Sequence, residues 1–307
     1  MADLSNQRVA YYNGRYLPEG EVLIPFRDRG FKWGDGAYDT TRTYDGKLFK
    51  LKEHVERLYR SLRYLRIDPG VSPQEMMDIT ETVVERNAHL RPANNDFFVS
   101  QRITRGVDAE GDEGWPKQDG PTILVESPFL PMKHRAKAFK NGVDLVTSPV
   151  RRTSPSSFSP RAKALNKLNL LMAEMVVTGQ NPNVWSLLLD ENGNIAEAKS
   201  ANFFLVDRGR LMTAHERFAL PGVSRQTVIE LARGLGIPFA ECDIDPFDAA
   251  NCDEAFVTGS SYGICPVTSI DGAPLGAIPG PVTRRLLDAF KELVNFDFEK
   301  QLLAHAE

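Results

Sequence analysis

The chain has 307 residues, 42% of them hydrophobic and 25% charged, the composition of an ordinary globular protein with room for two cores. A formal net charge of −4 gives no general attraction to nucleic acid or anionic membranes. Three cysteines (Cys242, Cys252, Cys265) and five scattered histidines supply neither a disulfide framework nor metal-ligand spacing, so no metal and a reducing, cytoplasmic location are expected.

Taken in chain order, residues 11–17 read as a hairpin turning at Asn13-Gly14, and residues 40–51 repeat it around Asp45-Gly46. Leu51, Val55, Leu58, Leu62 and Leu65 form one apolar helical stripe. Ser72 and Pro73 open another helix as N-cap and first residue. Residues 96–104 and 122–126 read as strands around a polar, glycine-rich loop, 107–120, long enough to be functional. Ser127-Pro128-Phe129-Leu130-Pro131 is the best linker. It sets expected domains at 1–127 and 135–307, joined by residues 128–134. Beyond it come a strand at 143–147, a helix at 169–177 and short strands at 185–190, 195–197, 202–206 and 210–212. A helix at 224–234, strands at 254–258 and 267–270 and a last helix from about Pro281 follow, the last with Val282, Leu286, Phe290 and Leu293 inward. Hairpins dominate both halves, which predicts two α+β domains.

Three segments carry chemistry: residues 160–168 with Lys163, residues 194–204 with Glu197, and Leu220-Pro221-Gly222-Val223-Ser224-Arg225, a loop opening a helix. A primary amine, a carboxylate and a helix N-terminus are the three contacts that a pyridoxal phosphate cofactor requires. The amine joins the aldehyde, the acid holds the ring nitrogen and the amides bind the phosphate.

With these residues the chain resembles the class IV (fold type IV) pyridoxal phosphate aminotransferases. That family includes branched-chain, D-amino acid and (R)-amine transaminases and the aminodeoxychorismate lyases. The resemblance runs through Tyr12-Asn13-Gly14, residues 27–39 and residues 49–58. It continues through the lysine, glutamate and Pro-Gly-Val-Ser-Arg motifs to Thr258-Gly259-Ser260-Ser261 and Pro266-Val267. It implies a two-domain α+β fold, with a small N-terminal α/β domain and a larger cofactor-binding domain built on a mixed, β-barrel-like sheet. It also implies pyridoxal 5′-phosphate as cofactor and a homodimer whose sites are shared between subunits.

By this resemblance Lys163, followed by Leu165 and Asn166, is the Schiff-base lysine and proton carrier, and Lys167-Leu168-Asn169 is a weaker copy of the motif. Glu197 pairs with the pyridine nitrogen. Arg57, the amides of Val223 and Ser224, and Ser260 with Ser261 contact the phosphate. Tyr38 lies near the substrate, while Arg42, Arg102 and Arg105 are candidates for its carboxylate. Strand alternation prevents Arg102 and Arg105 from pointing the same way.

The expected function is transfer of an amino group between an amino acid or (R)-amine and a 2-oxo acid. The Tyr38-Asp39-Thr40-Thr41 strand and the Thr104-Arg105-Gly106 turn look more like the D-amino acid and (R)-amine branch. The arginine and histidine usual in D-amino acid enzymes after that turn are missing. So is the tyrosine that branched-chain enzymes usually carry shortly after the lysine. A branched-chain L-amino acid aminotransferase and an aminodeoxychorismate-type lyase are the alternatives.

Overall fold

A computed structural model of the chain describes residues 8–107, 120–179 and 184–306; residues 108–119, within the loop singled out above, lie outside the described residues. The chain divides into two compact units: residues 1–130 with 162–166, and residues 131–161 with 167–307. Among the described residues, no helix is long and apolar enough to cross a membrane.

The first unit contains strands β1 (Val9–Tyr12), β2 (Arg15–Pro18), β3 (Gly36–Tyr44), β4 (Lys47–Leu48), β5 (Phe98–Thr104) and β6 (Thr122–Glu126), with helices α1 (Arg29–Trp33), α2 (Leu51–Leu65) and α3 (Pro73–Asn87). The strands form one sheet in the order β2-β1-β6-β5-β3-β4, every pairing antiparallel. Asn13-Gly14 and Asp45-Gly46 turn the two hairpins with positive φ at both residues, the backbone that matches strand twist. The stripe on α2 lies against the sheet: Leu51, Val55, Leu58 and Leu62 are buried with Ala37, Ile103 and Val125, while Leu65 is only partly covered. Each fully buried leucine contributes about 1.5–3 kcal/mol. Ser72 and Glu75 form a capping box at the start of α3, with Pro73 in the first turn.

The Arg27-Asp28-Arg29-Gly30 motif has a structural cause. Buried Asp28 accepts from Gly30 N at 2.7 Å, Thr104 Oγ1 at 2.8 Å and Thr122 Oγ1 at 2.6 Å, which caps α1 and ties it to two strands. A Cβ on Gly30 would strike Thr104, so only glycine lets α1 approach this closely.

The second unit contains α4 (Met132–Asn141), β7 (Val143–Thr147), α5 (Leu168–Thr178), β8 (Val184–Leu189), β9 (Ile195–Ala198), β10 (Asn202–Asp207), β11 (Arg210–Thr213), α6 (Val223–Gly234), β12 (Phe239–Glu241), α7 (Pro246–Asn251), β13 (Glu254–Gly259), β14 (Gly263–Ile270), β15 (Ala273–Pro274), α8 (Pro281–Val294) and α9 (Phe298–Leu303). Its mixed nine-stranded sheet runs β12-β11-β10-β13-β14-β7-β8-β9, with β15 on β14. Two sequence expectations need correction here. Leu293 is half exposed, and Thr283, Leu286, Leu287 and Phe290 form the buried side of α8. Residues 132–134, read as linker, already belong to α4.

Candidate active site

Lys163 sits on a short extended segment that joins the sheet of the first unit. Its carbonyl accepts from Tyr38 N at 3.0 Å, Leu165 N donates to Gly36 O at 2.9 Å, and Ala164 bridges Ala37. Gly36 is needed for this contact, because a Cβ there would press on Ile103 O and the Leu165 side chain. The Lys163 amide donates to Ser61 Oγ at 3.0 Å, and that hydroxyl donates to Arg57 O at 3.0 Å. The lysine backbone and the turn of α2 carrying Arg57 therefore share one frame. The half-buried Lys163 Nζ lies 4.4 Å from the centre of the Tyr38 ring, an ammonium-on-aromatic contact. Lys167, its competitor, stands in the cap position of α5.

Arg57 is 7% exposed and bound to Asp39 by two bonds of 2.8 Å, from Nε and Nη2. His54 Nδ1 lies 2.7 Å from the same carboxylate. Burial alone would raise the Asp39 carboxyl, but Arg57 and His54 together hold it far below the ordinary carboxylate range. An ionised acid needs donors, so His54 Nδ1 carries the proton. Its 3.3 Å approach to Arg57 Nη2 is then a contact between two donors. Neither Asp39 nor His54 was singled out from the sequence, where each reads as one more polar residue in a strand or helix.

In the second unit the Glu197 side chain is buried beside Arg152, which donates through Nε to Oε1. Oε2 accepts from Leu220 N at 3.1 Å and more weakly from Asn202 Nδ2 at 3.5 Å. Asn202 Nδ2 also donates to Leu220 O at 2.8 Å. Acid and loop are thus fixed by one asparagine, and a Cβ on Gly222 would collide with its Oδ1. Gly222 caps α6 without a side-chain bond, so the first amides of the helix, those of Val223 and Ser224 among them, keep their donors for an anion. Ser261 is buried and Ser260 half-buried in the turn between β13 and β14. A buried carboxylate beside an anion-receptive helix start, both in the second unit, suits a charged pyridine ring with a phosphate tail. Taken by themselves, the amine and guanidinium of the first unit suit an aldehyde and a phosphate. Arg152 and Asn202 escaped the sequence reading; the Arg151-Arg152 pair and the Ser200-Ala201-Asn202 run were their only signals.

The three candidate carboxylate arginines are all engaged within the fold. Arg42 is a correction: its side chain is 1% exposed and bonded to Asp96, to Thr43 O and against the Tyr44 ring, so it has no face for a substrate. Arg102 pairs with Glu126 across β5 and β6 and remains partly exposed. Arg105 binds Asp35 through Nε and Nη2 and also reaches Leu65 O and Arg66 O. Among the described residues no cluster of histidine, cysteine or acidic side chains is arranged to hold a metal ion.

Residues 36–270 match the family Amino-transferase class IV. A Methanocaldococcus jannaschii protein provisionally named a branched-chain-amino-acid aminotransferase is 33% identical over 288 residues, 92% of this chain and 95% of that protein. The D-alanine aminotransferase of Bacillus licheniformis is 28% identical over 286 residues, 92% of this chain and 96% of its own. A solved structure, the branched-chain amino acid aminotransferase of T.th. complexed with N-(5′-phosphopyridoxyl)-L-glutamate, gives a TM-score of 0.82 at 27% identity and covers 94% of both chains. The chain belongs to the class IV aminotransferases, pyridoxal phosphate-dependent enzymes of fold type IV.

Proposed function

We propose that this chain binds pyridoxal 5′-phosphate through Lys163 and moves an amino group between an amino donor and a 2-oxo acid. When bound, the cofactor supplies an electron sink that acidifies the α-proton of the donor. Lys163 Nζ takes that proton from the substrate carbon and returns it at the cofactor carbon, as base and then acid. Glu197 holds a proton on the ring nitrogen, with Arg152 and Asn202 fixing its two oxygens. Arg57, the amides of Val223 and Ser224, and Ser260 with Ser261 receive the phosphate. Tyr38 packs beside the reacting amine. The placement of Lys163 Nζ over that ring, on a segment pinned to β3, is the observation that carries the proposal.

We assign the donor to the D-amino acid or (R)-amine class, supported by the Tyr38-Asp39-Thr40-Thr41 strand and the Thr104-Arg105-Gly106 turn. The second reading, branched-chain L-amino acids, is favoured by the 33% identical archaeal relative. Arg102, partly exposed, is the arginine we assign to a substrate carboxylate. Titrating the loaded protein with D-alanine, (R)-1-phenylethylamine and L-leucine separately tests the choice. The visible band should be lost with one of the first two; loss with L-leucine alone reverses the assignment.

We further propose a homodimer. Leu168, Leu171, Met172, Met175 and Val176 of α5 are exposed in the chain, an apolar face of the kind that associating proteins cover.

A further inference from the structure

Asp39, His54 and Arg57 form an ionic cluster that phosphate binding alone does not call for. Asp39 is fully buried, and both its oxygens are engaged. Oδ1 accepts from Thr40 N at 2.7 Å, His54 Nδ1 at 2.7 Å and Arg57 Nη2 at 2.8 Å; Oδ2 accepts from Arg57 Nε at 2.8 Å. We propose that Asp39 is a resident counter-ion for Arg57: it keeps the guanidinium oriented and compensated when no phosphate is bound there, and opposes the phosphate dianion when one is. This deepens the proposed function and rests on Arg57 being a phosphate ligand.

The charges decide the sign. An arginine this buried is strongly unfavourable without a neighbouring anion. A site that relied on the phosphate for that anion would be stable only when loaded. Here the carboxylate supplies it from within. His54 adds no charge of its own: burial first, then Arg57 and Lys163, outweigh Asp39 and hold the imidazole below its ordinary range. The three side chains therefore sum to zero, and Lys163 is the further cation acting on His54. An incoming dianion meets the arginine together with a fixed negative charge on its other edge. That lowers phosphate affinity below what the arginine alone would give. A carboxylate that merely filled the core would also stabilise the fold, but its removal would not change the response to phosphate.

The test compares wild type with Asp39→Asn, which keeps the shape and removes the charge, both as full chains stripped of cofactor. Inorganic phosphate, pyridoxal phosphate and pyridoxal are the probes. The variant should melt below wild type, and inorganic phosphate should raise its Tm more than it raises that of wild type. Pyridoxal phosphate should bind it about tenfold more tightly, the effect of removing one nearby like charge in a partly screened site, while pyridoxal binding stays unchanged. Equal phosphate-induced rises in Tm, or weaker pyridoxal phosphate binding by the variant, overturn the counter-ion role. If the variant cannot be purified, refolding yield decides: rescue by inorganic phosphate supports the role, and equally poor yield with and without it counts against. Failure of wild type to bind pyridoxal phosphate would instead overturn the proposed function.

Discussion

Asp96→Ala strips four donors of their acceptor at one stroke. The buried carboxylate receives Thr43 Oγ1 at 2.7 Å, Gly46 N at 2.9 Å, Asp45 N at 3.3 Å and Arg42 Nη2 at 3.4 Å. It thus closes the β3–β4 turn and compensates an arginine that is 1% exposed. Breaking a buried pair from one side costs about 3–5 kcal/mol. Arg42 keeps its bond to Thr43 O and its contact with Tyr44, which places the loss near the lower end, about 3 kcal/mol. With a urea slope of about 2 kcal/mol/M, the midpoint of the first unit should fall by about 1.5 M, read from hydrogen exchange of β3 amides. Arg42→Met combined with Asp96→Ala removes both charges and should recover at least about 1 kcal/mol. Arg42→Met alone should leave KM for the 2-oxo acid within about twofold, since the side chain touches no substrate. A loss below about 1 kcal/mol for Asp96→Ala, or a KM raised about tenfold with stability intact, would refute the placement of Arg42 in the fold.

Lys163→Ala should abolish both the visible band and borohydride trapping of pyridoxal phosphate, whereas Lys167→Ala should retain them; the reverse pattern transfers the role to Lys167. His54 carries a pH prediction. Its folded pKa lies below the ordinary 6.5, so the unfolded chain takes up a proton that the folded one refuses. The stability this contributes is intact above about pH 6.5 and declines as pH falls toward the folded value, with a slope that His54→Gln should lack; identical slopes refute it. Met175→Glu, at the most exposed apolar position of α5, should convert the proposed dimer to monomers in sedimentation, and an unchanged mass would remove α5 from the interface.

Local signals were legible wherever a residue type meets one backbone need. Both hairpin turns carry the Asn-Gly or Asp-Gly pair with positive φ, α3 begins at the Ser72-Pro73 signal, and α5 and α6 fall within a residue of their expected spans. What stayed hidden is set by contacts between residues distant in sequence. Asp39 meets His54 and Arg57, Arg152 meets Glu197, and Asp96 meets Arg42, none of them in a local pattern. The helix α7 is only six residues long, too short to show a period, and α4 starts directly after Pro131, inside the stretch read as linker. Arg42 misled because a strand arginine has the same letter whether it faces a ligand or an internal acid.

The extended segment around Lys163 completes the edge of a sheet whose other strands all come from the first 126 residues. A fragment ending at residue 130 would leave Tyr38 N and Gly36 O bare on that margin, a template for pairing with another molecule. During synthesis the nascent sheet must wait for residues 162–166 to leave the ribosome before its border is sealed. The border left open in that interval, Gly36 to Tyr38, is the one on which the segment of Lys163 then settles.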